Sequence, residues 1–433
     1  MSQTLFIEGG RVIDPASGVD GVRTVVVRDG VVAEVAERLA RPRDVPSIDA
    51  RGRWVTPGFV DLHVHLREPG QEYKETVETG ARAAVAGGFT AICAMPNTRP
   101  VNDNASVTEL VLARAAAAGL ARVYPVGAIS KGSEGQELAE YGELKAAGCV
   151  ALSDDGRPVA SSALMRRALE YARAFGLPLT VHEEDLGLVG KGVMHEGPTS
   201  TRLGLRGIPA AAEDVMVLRD LALAELTGGR LHVAHLSTRG AVRAVREAKA
   251  RGLRVTAEVT PHHLALTDEA VAASGYSTDF KMNPPLRSAE DAASCLAGLA
   301  DGTIDAIATD HAPHSPVEKD VEFDAAANGI VGLETAFPVC LELVRRGALT
   351  ERRLVEALTS GPARAFGLPG GTLSRGAPAD VAILDPGAAW TVEADRLRSR
   401  SKNSPWKGKR LVGRCTITLV GGRIVHEEAA AAS

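Results

Sequence analysis

The sequence contains few cysteines, and none of them lies in a Cys-x-x-Cys pair. Five scattered cysteines in 433 residues do not suit a disulfide framework, so they predict a reducing, cytoplasmic environment. No apolar run approaches the ~18 residues of a membrane helix, and residues 1–20 lack the pattern of a secretory signal. The net charge is −5 with no basic block, which argues against nucleic acid and acidic membranes as partners. We therefore expect a soluble cytoplasmic protein.

Both ends of the chain consist of short β-type runs separated by turns. Gly9-Gly10 and Asp29-Gly30 are typical of hairpin turns, and β-type runs recur near the C-terminus at 380–385 and 416–425. This pattern predicts one small β-sandwich domain assembled from the two termini. The alanine-rich tail at 429–433 is predicted to be frayed.

The middle of the chain alternates between strand-like and helix-like segments, as repeated βα units do. The predicted strands are 59–62, 89–95, 123–128, 150–153, 179–181, 231–234, 255–259 and 304–308, and the clearest helices are 77–87, 106–119, 161–175, 213–226 and 239–250. Eight such units predict an α/β fold with a (β/α)8 TIM-like barrel. The predicted domains are thus 1–56 and 366–433, which form the β-sandwich, and the barrel at 57–365. An open doubly wound sheet is the alternative, but no G-x-G-x-x-G follows the first strand.

The first barrel strand leads into the motif Asp61-Leu62-His63-Val64-His65-Leu66-Arg67. Alternate residues of a strand project from one face, so His63 and His65 lie side by side and offer half of a metal site. A single His-x-His motif is short, and two ordinary strand histidines explain it equally well. The decision therefore depends on the other strands.

Active sites of (β/α)8 barrels lie at the carboxyl ends of the strands. The polar residues at the other predicted strand ends are Asn97, Asp154, Asp155, His182, His235, Asp310 and His314. Four imidazoles and two carboxylates can hold two divalent cations, with one carboxylate and one water bridging them. Asp310 is the natural candidate to take the proton of that water and to pass it to a leaving nitrogen. The pattern favours a metal hydrolase.

Several longer blocks carry a family resemblance that runs nearly from end to end of the chain. The most specific are His63-Val64-His65-Leu66-Arg67-Glu68-Pro69-Gly70, Met95-Pro96-Asn97-Thr98, Ser153-Asp154-Asp155-Gly156, Glu258-Val259-Thr260-Pro261-His262-His263, Lys281-Met282-Asn283-Pro284-Pro285-Leu286-Arg287 and Thr309-Asp310-His311-Ala312-Pro313-His314. With these blocks in this order, the chain resembles the amidohydrolase superfamily and, within it, the bacterial class I dihydroorotases.

The resemblance implies two zinc ions per subunit. His63, His65 and Asp310 would bind one, and His182 and His235 would bind the other. An aspartate after the fourth strand would bridge them, and matching the spacing favours Asp155 over Asp154. Many relatives have a carboxylated lysine at the bridge, but this chain has none there, so metal assembly should need no carbon dioxide.

The resemblance also implies a substrate and a reaction. The enzyme would hydrolyse (S)-dihydroorotate reversibly to N-carbamoyl-L-aspartate in pyrimidine (UMP) biosynthesis, by a metal-bridged hydroxide with Asp310 as general base and acid. Arg67, Asn97 and His314 would hold the substrate carboxylate, and Asn283 would contact the ring amide. Asn328 and Gly329 would complete the substrate site, with Asn328 standing where relatives commonly have an aromatic residue.

Two other interpretations remain open at this point. The first is a related cyclic amidase, such as a hydantoinase or allantoinase, although those enzymes usually carry the bridging lysine. The second is a non-catalytic dihydroorotase-like subunit that scaffolds aspartate transcarbamoylase, although such subunits lose metal ligands that this chain retains. The resemblance implies a homodimer, and an active chain could also form a complex with aspartate transcarbamoylase.

Overall fold

The centre of the computed structural model, which describes residues 4–428, is a parallel eight-stranded barrel. Its strands are, in chain order, Phe59–Val64, Phe89–Ala94, Arg122–Gly127, Ala151–Leu152, Leu179–Val181, Leu231–Val233, Val255–Val259 and Ala306–Ile307. Each strand pairs with the next along the chain. A parallel bridge between Val64 and His311, with the His65 N–H donating to the His311 carbonyl at 2.9 Å, joins the last strand to the first. The predicted (β/α)8 barrel is confirmed, and the tail at 429–433 lies outside the described residues.

Helices separate the strands and cover the barrel. They are Val77–Ala86, Ala105–Ala118, Tyr141–Ala147, Ser162–Phe175, Leu186–Val189, Pro198–Leu203, Ala211–Thr227, Arg239–Ala250, Pro261–Ala265, Glu269–Ala273, Ala289–Asp301, Pro316–Lys319, Ala336–Arg345, Glu351–Leu358 and Ser360–Phe366. Arg239–Ala250 shows why these segments are helical. The Thr238 hydroxyl accepts from the Ala241 N–H and caps the start of the helix. Its buried residues, which include Val242 and Val245, recur at helical spacing and face the barrel. No helix among the described residues is long and apolar enough to span a membrane.

A second sheet is assembled from both ends of the described chain. Its strands are Thr4–Asp14, Val19–Arg28, Val31–Ala36, Ser47–Asp49, Trp54–Pro57, Val381–Thr391, Arg410–Val420 and Arg423–Glu427. Trp54–Pro57 pairs antiparallel with Val381–Thr391, so the N-terminal and C-terminal parts share one sheet. Only Gly58 separates Trp54–Pro57 from the first barrel strand. The terminal sheet is therefore fixed directly to the strand that carries His63.

Of the two predicted hairpin turns, the one at Gly9-Gly10 is wrong. Thr4–Asp14 is a single strand, and at Gly9 its register shifts so that Glu8 and Gly9 face one residue of Val19–Arg28. Gly9 has φ 75°, which makes this a β-bulge rather than a turn. Asp29-Gly30 does form the expected hairpin turn, with φ of 51° and 81°.

Two long excursions shape the end of the barrel where the strands finish. The first, between the fifth barrel strand and Ala211–Thr227, contains two short helices and the small parallel pair Met194–His195 and Gly207–Ile208. The second runs through 392–409 and connects two strands of the terminal sheet. It packs against the barrel loops that carry Glu75 and His314. All five cysteines are buried free thiols.

Candidate metal centre

The barrel places six ionisable side chains from five strand ends in one buried cluster. Each of them is at most 6% exposed: His63, His65, Asp155, His182, His235 and Asp310. Ligand atoms of His63, His65 and Asp155 lie within 4.8 Å of one another, and so do those of Asp155, His182 and His235. Two potential metal sites therefore share Asp155.

The Asp155 carboxylate lies at the centre of this cluster. Its Oδ1 is 3.3 Å from His63 Nε2, 3.5 Å from His235 Nε2 and 3.8 Å from His182 Nδ1. Its Oδ2 is 3.4 Å from His65 Nε2. One carboxylate thus faces four imidazole nitrogens, two from each potential site, as a bridging ligand must.

Asp310 lies on one side of the cluster only. Its Oδ1 is 3.1 Å from His65 Nε2 and 3.6 Å from His63 Nε2. Asp310 follows the eighth barrel strand and has φ 47°, a backbone conformation that residues other than glycine rarely adopt. His235 and Arg67 also have positive φ, at 31° and 61°. Strained backbone held by its surroundings is typical of functional sites.

Hydrogen bonds on the outer side of three imidazoles fix which nitrogen faces the cluster. His63 Nδ1 donates to Glu258 Oε1 at 2.8 Å, and His182 Nε2 lies 3.3 Å from Glu184 Oε2. His65 Nδ1 lies 2.8 Å from Asn97 Oδ1, while Asn97 Nδ2 donates to the Asp155 carbonyl at 3.4 Å. With protons on the outer nitrogens, the inner nitrogens would be free to bind a cation. The cation would replace the contacts that His65 Nε2 makes with Asp310 at 3.1 Å and that His182 Nδ1 makes with His235 Nε2 at 3.0 Å.

The electrostatics of the cluster reflect its burial. Burial disfavours a charged imidazole, yet Asp155 and Asp310 raise the pKa of His63 well above its ordinary value. Burial likewise favours a neutral carboxyl, yet His63 holds the pKa values of Asp155 and Asp310 below their ordinary range. Burial and the Arg67 charge lower the pKa of His65. The carboxylates are therefore ionised and stabilised by positive charge.

The donor set fits divalent cations. His63 Nε2 and Asp155 Oδ1 are fully buried and make no hydrogen bond within the described chain. An unpaired buried polar atom is costly, and a cation bound between these two atoms would remove that cost. Imidazole nitrogens and carboxylate oxygens are ligands for zinc and its neighbours.

Asp154, the alternative bridge, points elsewhere. Its carboxylate accepts hydrogen bonds from the Ser130 N–H at 2.9 Å and from the Ser130 hydroxyl. It thereby holds the loop after the third barrel strand. Of the two neighbouring aspartates, only Asp155 faces the imidazoles.

A pocket of about 210 Å³ opens over the cluster. It is lined by His65, Arg67, Asn97, Asp155, Gly156, His182, His235, Asn283, Asp310, Ala312, His314, Asn328 and Gly329. All six residues expected to bind substrate are thus brought together around the expected metal ligands. His63 lies beneath the pocket and is fully buried.

Arg67 is the positive group of this pocket. Its Nε donates to the Pro313 carbonyl at 3.2 Å, and one Nη lies 3.3 Å from His314 Nε2. No carboxylate of the described chain lies within 4.0 Å of the guanidinium, and neighbouring Glu68 pairs with Arg114. Asp310, Asp155 and Glu318 act on Arg67 only from a greater distance. Burial and the Arg67 charge lower the pKa of His314 to about 3, so His314 is neutral.

The remaining pocket residues have different partners. Asn283 Nδ2 donates to Glu184 Oε1 at 3.1 Å. Asn328 is exposed at the mouth of the pocket. Gly329 has φ 130°, and a Cβ there would lie 2.6 Å from the Ala312 Cβ, so only glycine suits this wall.

The sequence alone assigned no role to two residues that hold the cluster. Glu258 accepts from His63 and also lies 3.1 Å from His232 Nε2, and Glu184 contacts both His182 and Asn283. Glu258 lies near the end of the seventh barrel strand, so the rule used for the other strands would have found it. Glu184 follows His182 by two residues, a signal too short to interpret alone.

Comparisons with known proteins find similar sequences and a similar fold. The family model described as dihydro-orotase-like matches residues 52–241. A dihydroorotase of Anaeromyxobacter sp. (strain K) is 84% identical over 99% of both chains, and one of Geotalea daltonii is 57% identical over 98% of this chain and 99% of that one. Among solved structures, the L-hydantoinase (dihydropyrimidinase) of Arthrobacter aurescens superposes with a TM-score of 0.88 at 27% identity, over 98% of this chain and 96% of that one.

The neighbouring aspartates provide a direct test of the metal centre. We expect Asp155→Asn to lose most bound divalent metal, because an amide offers one weak oxygen ligand where a carboxylate faces four imidazoles. Asp154→Asn should retain the metal, because its carboxylate holds Ser130. The measurement is metal content per chain after dialysis against a fixed zinc concentration. Equal metal loss in both variants would contradict the assignment of Asp155.

Proposed function

The chain belongs to the dihydroorotase family, and on that premise we propose that it hydrolyses (S)-dihydroorotate reversibly to N-carbamoyl-L-aspartate, a step of pyrimidine biosynthesis, with two zinc ions. It is an enzyme of the dihydroorotase-type cyclic amidohydrolase class. Its relatives at 84% and 57% identity match it over nearly the whole chain. The zinc ions, the site residues and their roles are parts of the proposal.

The observation that carries the proposal is the environment of Arg67. Its buried guanidinium opens onto the pocket beside the His and Asp cluster, and no carboxylate within the described chain lies within 4.0 Å of it. A buried cation that makes no direct contact with a carboxylate favours an anionic ligand. Dihydroorotate is a cyclic imide with a carboxylate, so it would present an amide to the cluster and an anion to Arg67.

We assign the metal ligands as the sequence suggested. His63, His65 and Asp310 would hold one zinc, His182 and His235 the other, and Asp155 would bridge them. When bound, the two cations would lower the pKa of a water between them and so supply a nucleophile at neutral pH. Glu258, Asn97 and Glu184 orient the histidines through their outer nitrogens.

Asp310 would move the proton. It is ionised, lies beside the pocket, and its Oδ1 faces His65. As the oxygen of water adds to the ring carbonyl carbon, Asp310 would accept the proton that the water loses. It would then donate that proton to the ring nitrogen as the amide bond breaks, which regenerates the carboxylate. The reverse steps close the ring.

The pocket residues would orient the ring. Arg67, Asn97 and the neutral His314 would bind the carboxylate. Asn283, fixed by Glu184, would contact the ring amide. The exposed Asn328 and the closely packed Gly329 would form the outer wall.

Three further expectations remain predictions. They are the cytoplasmic location, the homodimer and the complex with aspartate transcarbamoylase. A related cyclic amidase is the competing function, since the chain shares its fold with an L-hydantoinase (dihydropyrimidinase). A non-catalytic scaffold is disfavoured because all six potential ligands are present and clustered.

The first test is turnover with and without metal. Purified protein should contain about two zinc per chain and hydrolyse dihydroorotate, and removal of the metal by a chelator should abolish turnover until zinc is restored. Uncharged dihydrouracil and hydantoin serve as competing substrates. Faster turnover of an uncharged ring would identify a cyclic amidase of the hydantoinase type, and metal-independent turnover would remove the metal from the proposal.

Arg67→Gln tests the carboxylate assignment. Loss of the charge should raise KM for dihydroorotate by about 10-fold to 100-fold, because a charge-assisted hydrogen bond contributes ~1.5–3 kcal/mol. Zinc content should stay unchanged. The control is Arg114→Gln, which removes the exposed guanidinium that pairs with Glu68 at 3.1 Å. An unchanged KM in Arg67→Gln would exclude this role.

Asp310→Asn tests the proton carrier. Five other ligands remain, so we expect most of the metal to stay bound while kcat falls by about 100-fold to 10,000-fold. Asp305→Asn is the control, since Asp305 precedes the same strand and its carboxylate bonds Lys249 at 2.6 Å. Retained turnover in Asp310→Asn at full metal content would assign the proton transfer to another group.

A further inference from the structure

Residues 398–403, within the excursion at 392–409, cross the barrel loops with side chains that are buried and exposed in turn. Along 398–403 the sequence reads Arg-Ser-Arg-Ser-Lys-Asn, and Ser399, Ser401 and Asn403 are buried while Arg398 and Arg400 are exposed. Each buried side chain bonds a barrel residue. Ser399 bonds Glu75, Ser401 donates to the Lys74 carbonyl at 2.7 Å, and Asn403 donates to the Ala312 carbonyl at 3.0 Å. We name 398–403 the strap.

Asn403 contacts three residues that line the pocket. Its Oδ1 accepts from the His314 N–H at 3.1 Å, and its Nδ2 donates to the carbonyls of Ala312 and Gly329, both at 3.0 Å. This amide orientation is unambiguous, because an N–H can only donate and a carbonyl can only accept. The side chain is 4% exposed. It therefore connects the terminal part of the chain to one wall of the pocket.

Lys319 holds the same wall from the other side. Its buried ammonium donates to the carbonyls of Gly329 at 3.0 Å, Ala327 at 2.9 Å and Lys281 at 3.3 Å. Its three N–H donors thus meet three acceptors from the two loops that carry Asn283 and Gly329. The Gly329 carbonyl accepts from both Lys319 and Asn403, so two side chains from distant parts of the sequence fix one peptide group.

We infer that Asn403, supported by Lys319, is a positioning residue for substrate, which holds the Ala312, His314 and Gly329 wall at the distance that the substrate ring requires. The inference rests on the proposed function, since it assigns these residues to binding of the same substrate. Asn403 lies outside the pocket and does not contact the metal ligands in the described structure. It acts through the wall and not on the reacting atoms.

The physical reason is that Asn403 satisfies polar groups of this wall that its backbone contacts, from the Gly329 N–H to Lys281 and from the Ala312 N–H to Ile330, leave open. Gly329 has no side chain to anchor it, and its φ of 130° is open to glycine but rare for other residues. His314 provides the neutral imidazole beside Arg67. The backbone N–H of His314 donates to Asn403. Without Asn403, the Ala312 carbonyl and the His314 backbone N–H would lose their partner, and the Gly329 carbonyl would keep only Lys319. The wall would then relax away from the pocket. Substrate affinity should therefore fall more than the chemical rate.

Asn403→Asp is the most specific variant. It preserves size and the acceptor for the His314 N–H, but it places a carboxylate oxygen against the two carbonyls. We expect KM for dihydroorotate to rise by about fivefold to tenfold, since a lost hydrogen bond contributes ~1 kcal/mol. The kcat and the zinc content should stay within about twofold of wild type. Amide hydrogen exchange over 327–331 should become faster.

Two companion variants complete the experiment. Ser401→Ala removes a bond of the strap to Lys74, which does not line the pocket, and should change neither KM nor the exchange of 327–331. Lys319→Met removes the second donor to Gly329 and should accelerate exchange of the same peptide. Thermal unfolding of each variant shows whether it is folded before kinetics are compared.

Different results are expected if Asn403 positions the wall and if it does not. A higher KM and faster local exchange in Asn403→Asp, absent in Ser401→Ala, would support the inference. Unchanged KM and exchange, equal effects in Ser401→Ala, or a loss confined to kcat would overturn it. If the wild-type protein does not hydrolyse dihydroorotate, the proposed function fails, while unaltered exchange over 327–331 in Asn403→Asp would overturn the positioning role separately.

Discussion

The structure depends on one constraint, which is that six ionisable side chains share a buried site at the end of the barrel. Burial of His63 and Asp155 removes them from water, and each retains a polar atom without a hydrogen bond within the described chain. Such an arrangement persists only if opposite charges face each other or a cation is bound. Without a cation, imidazoles and carboxylates stabilise one another, as the raised pKa of His63 and the lowered pKa of Asp155 indicate. With cations, the same atoms become ligands.

That constraint explains the polar residues around the cluster. A metal site needs each imidazole in one tautomer, and Glu258 supplies the acceptor for His63. Glu258 also bonds His232 on the sixth strand, so one carboxylate aligns side chains of the first and sixth strands from its place on the seventh. The barrel is suited to this because adjacent parallel strands end at the same rim. Positive φ at His235 and Asp310 shows that the backbone is adapted to the cluster.

The sequence predicted the barrel and the cluster because both follow from local rules. Apolar runs of strand length fix the eight strands, and the residues after each run must meet at one rim, as His182 and Asp310 do. The bulge at Gly9 was mistaken for a turn because a glycine with positive φ suits both, and only the partner strand decides. Asn403 could not be found in this way. Its role depends on the path of 392–409 across the barrel, which no periodic pattern in that segment specifies.

In the proposed function, Arg67 would let this shared fold select a charged substrate. The likeness to an L-hydantoinase extends over nearly the whole chain, so the barrel by itself does not decide which ring is bound. A buried guanidinium without a carboxylate raises the free energy of the empty pocket, and burial accordingly lowers the Arg67 pKa. A carboxylated ring would remove this cost on binding, whereas an uncharged ring would leave the cation buried and unpaired. Such discrimination between charged and uncharged rings exceeds what apolar contacts provide. An uncharged ring would lose both a contact and a charge interaction in a desolvated site. Selectivity would thus arise from the cost built into the free enzyme, and it requires that His314 and the wall beside it stay close enough to exclude water from the ion pair.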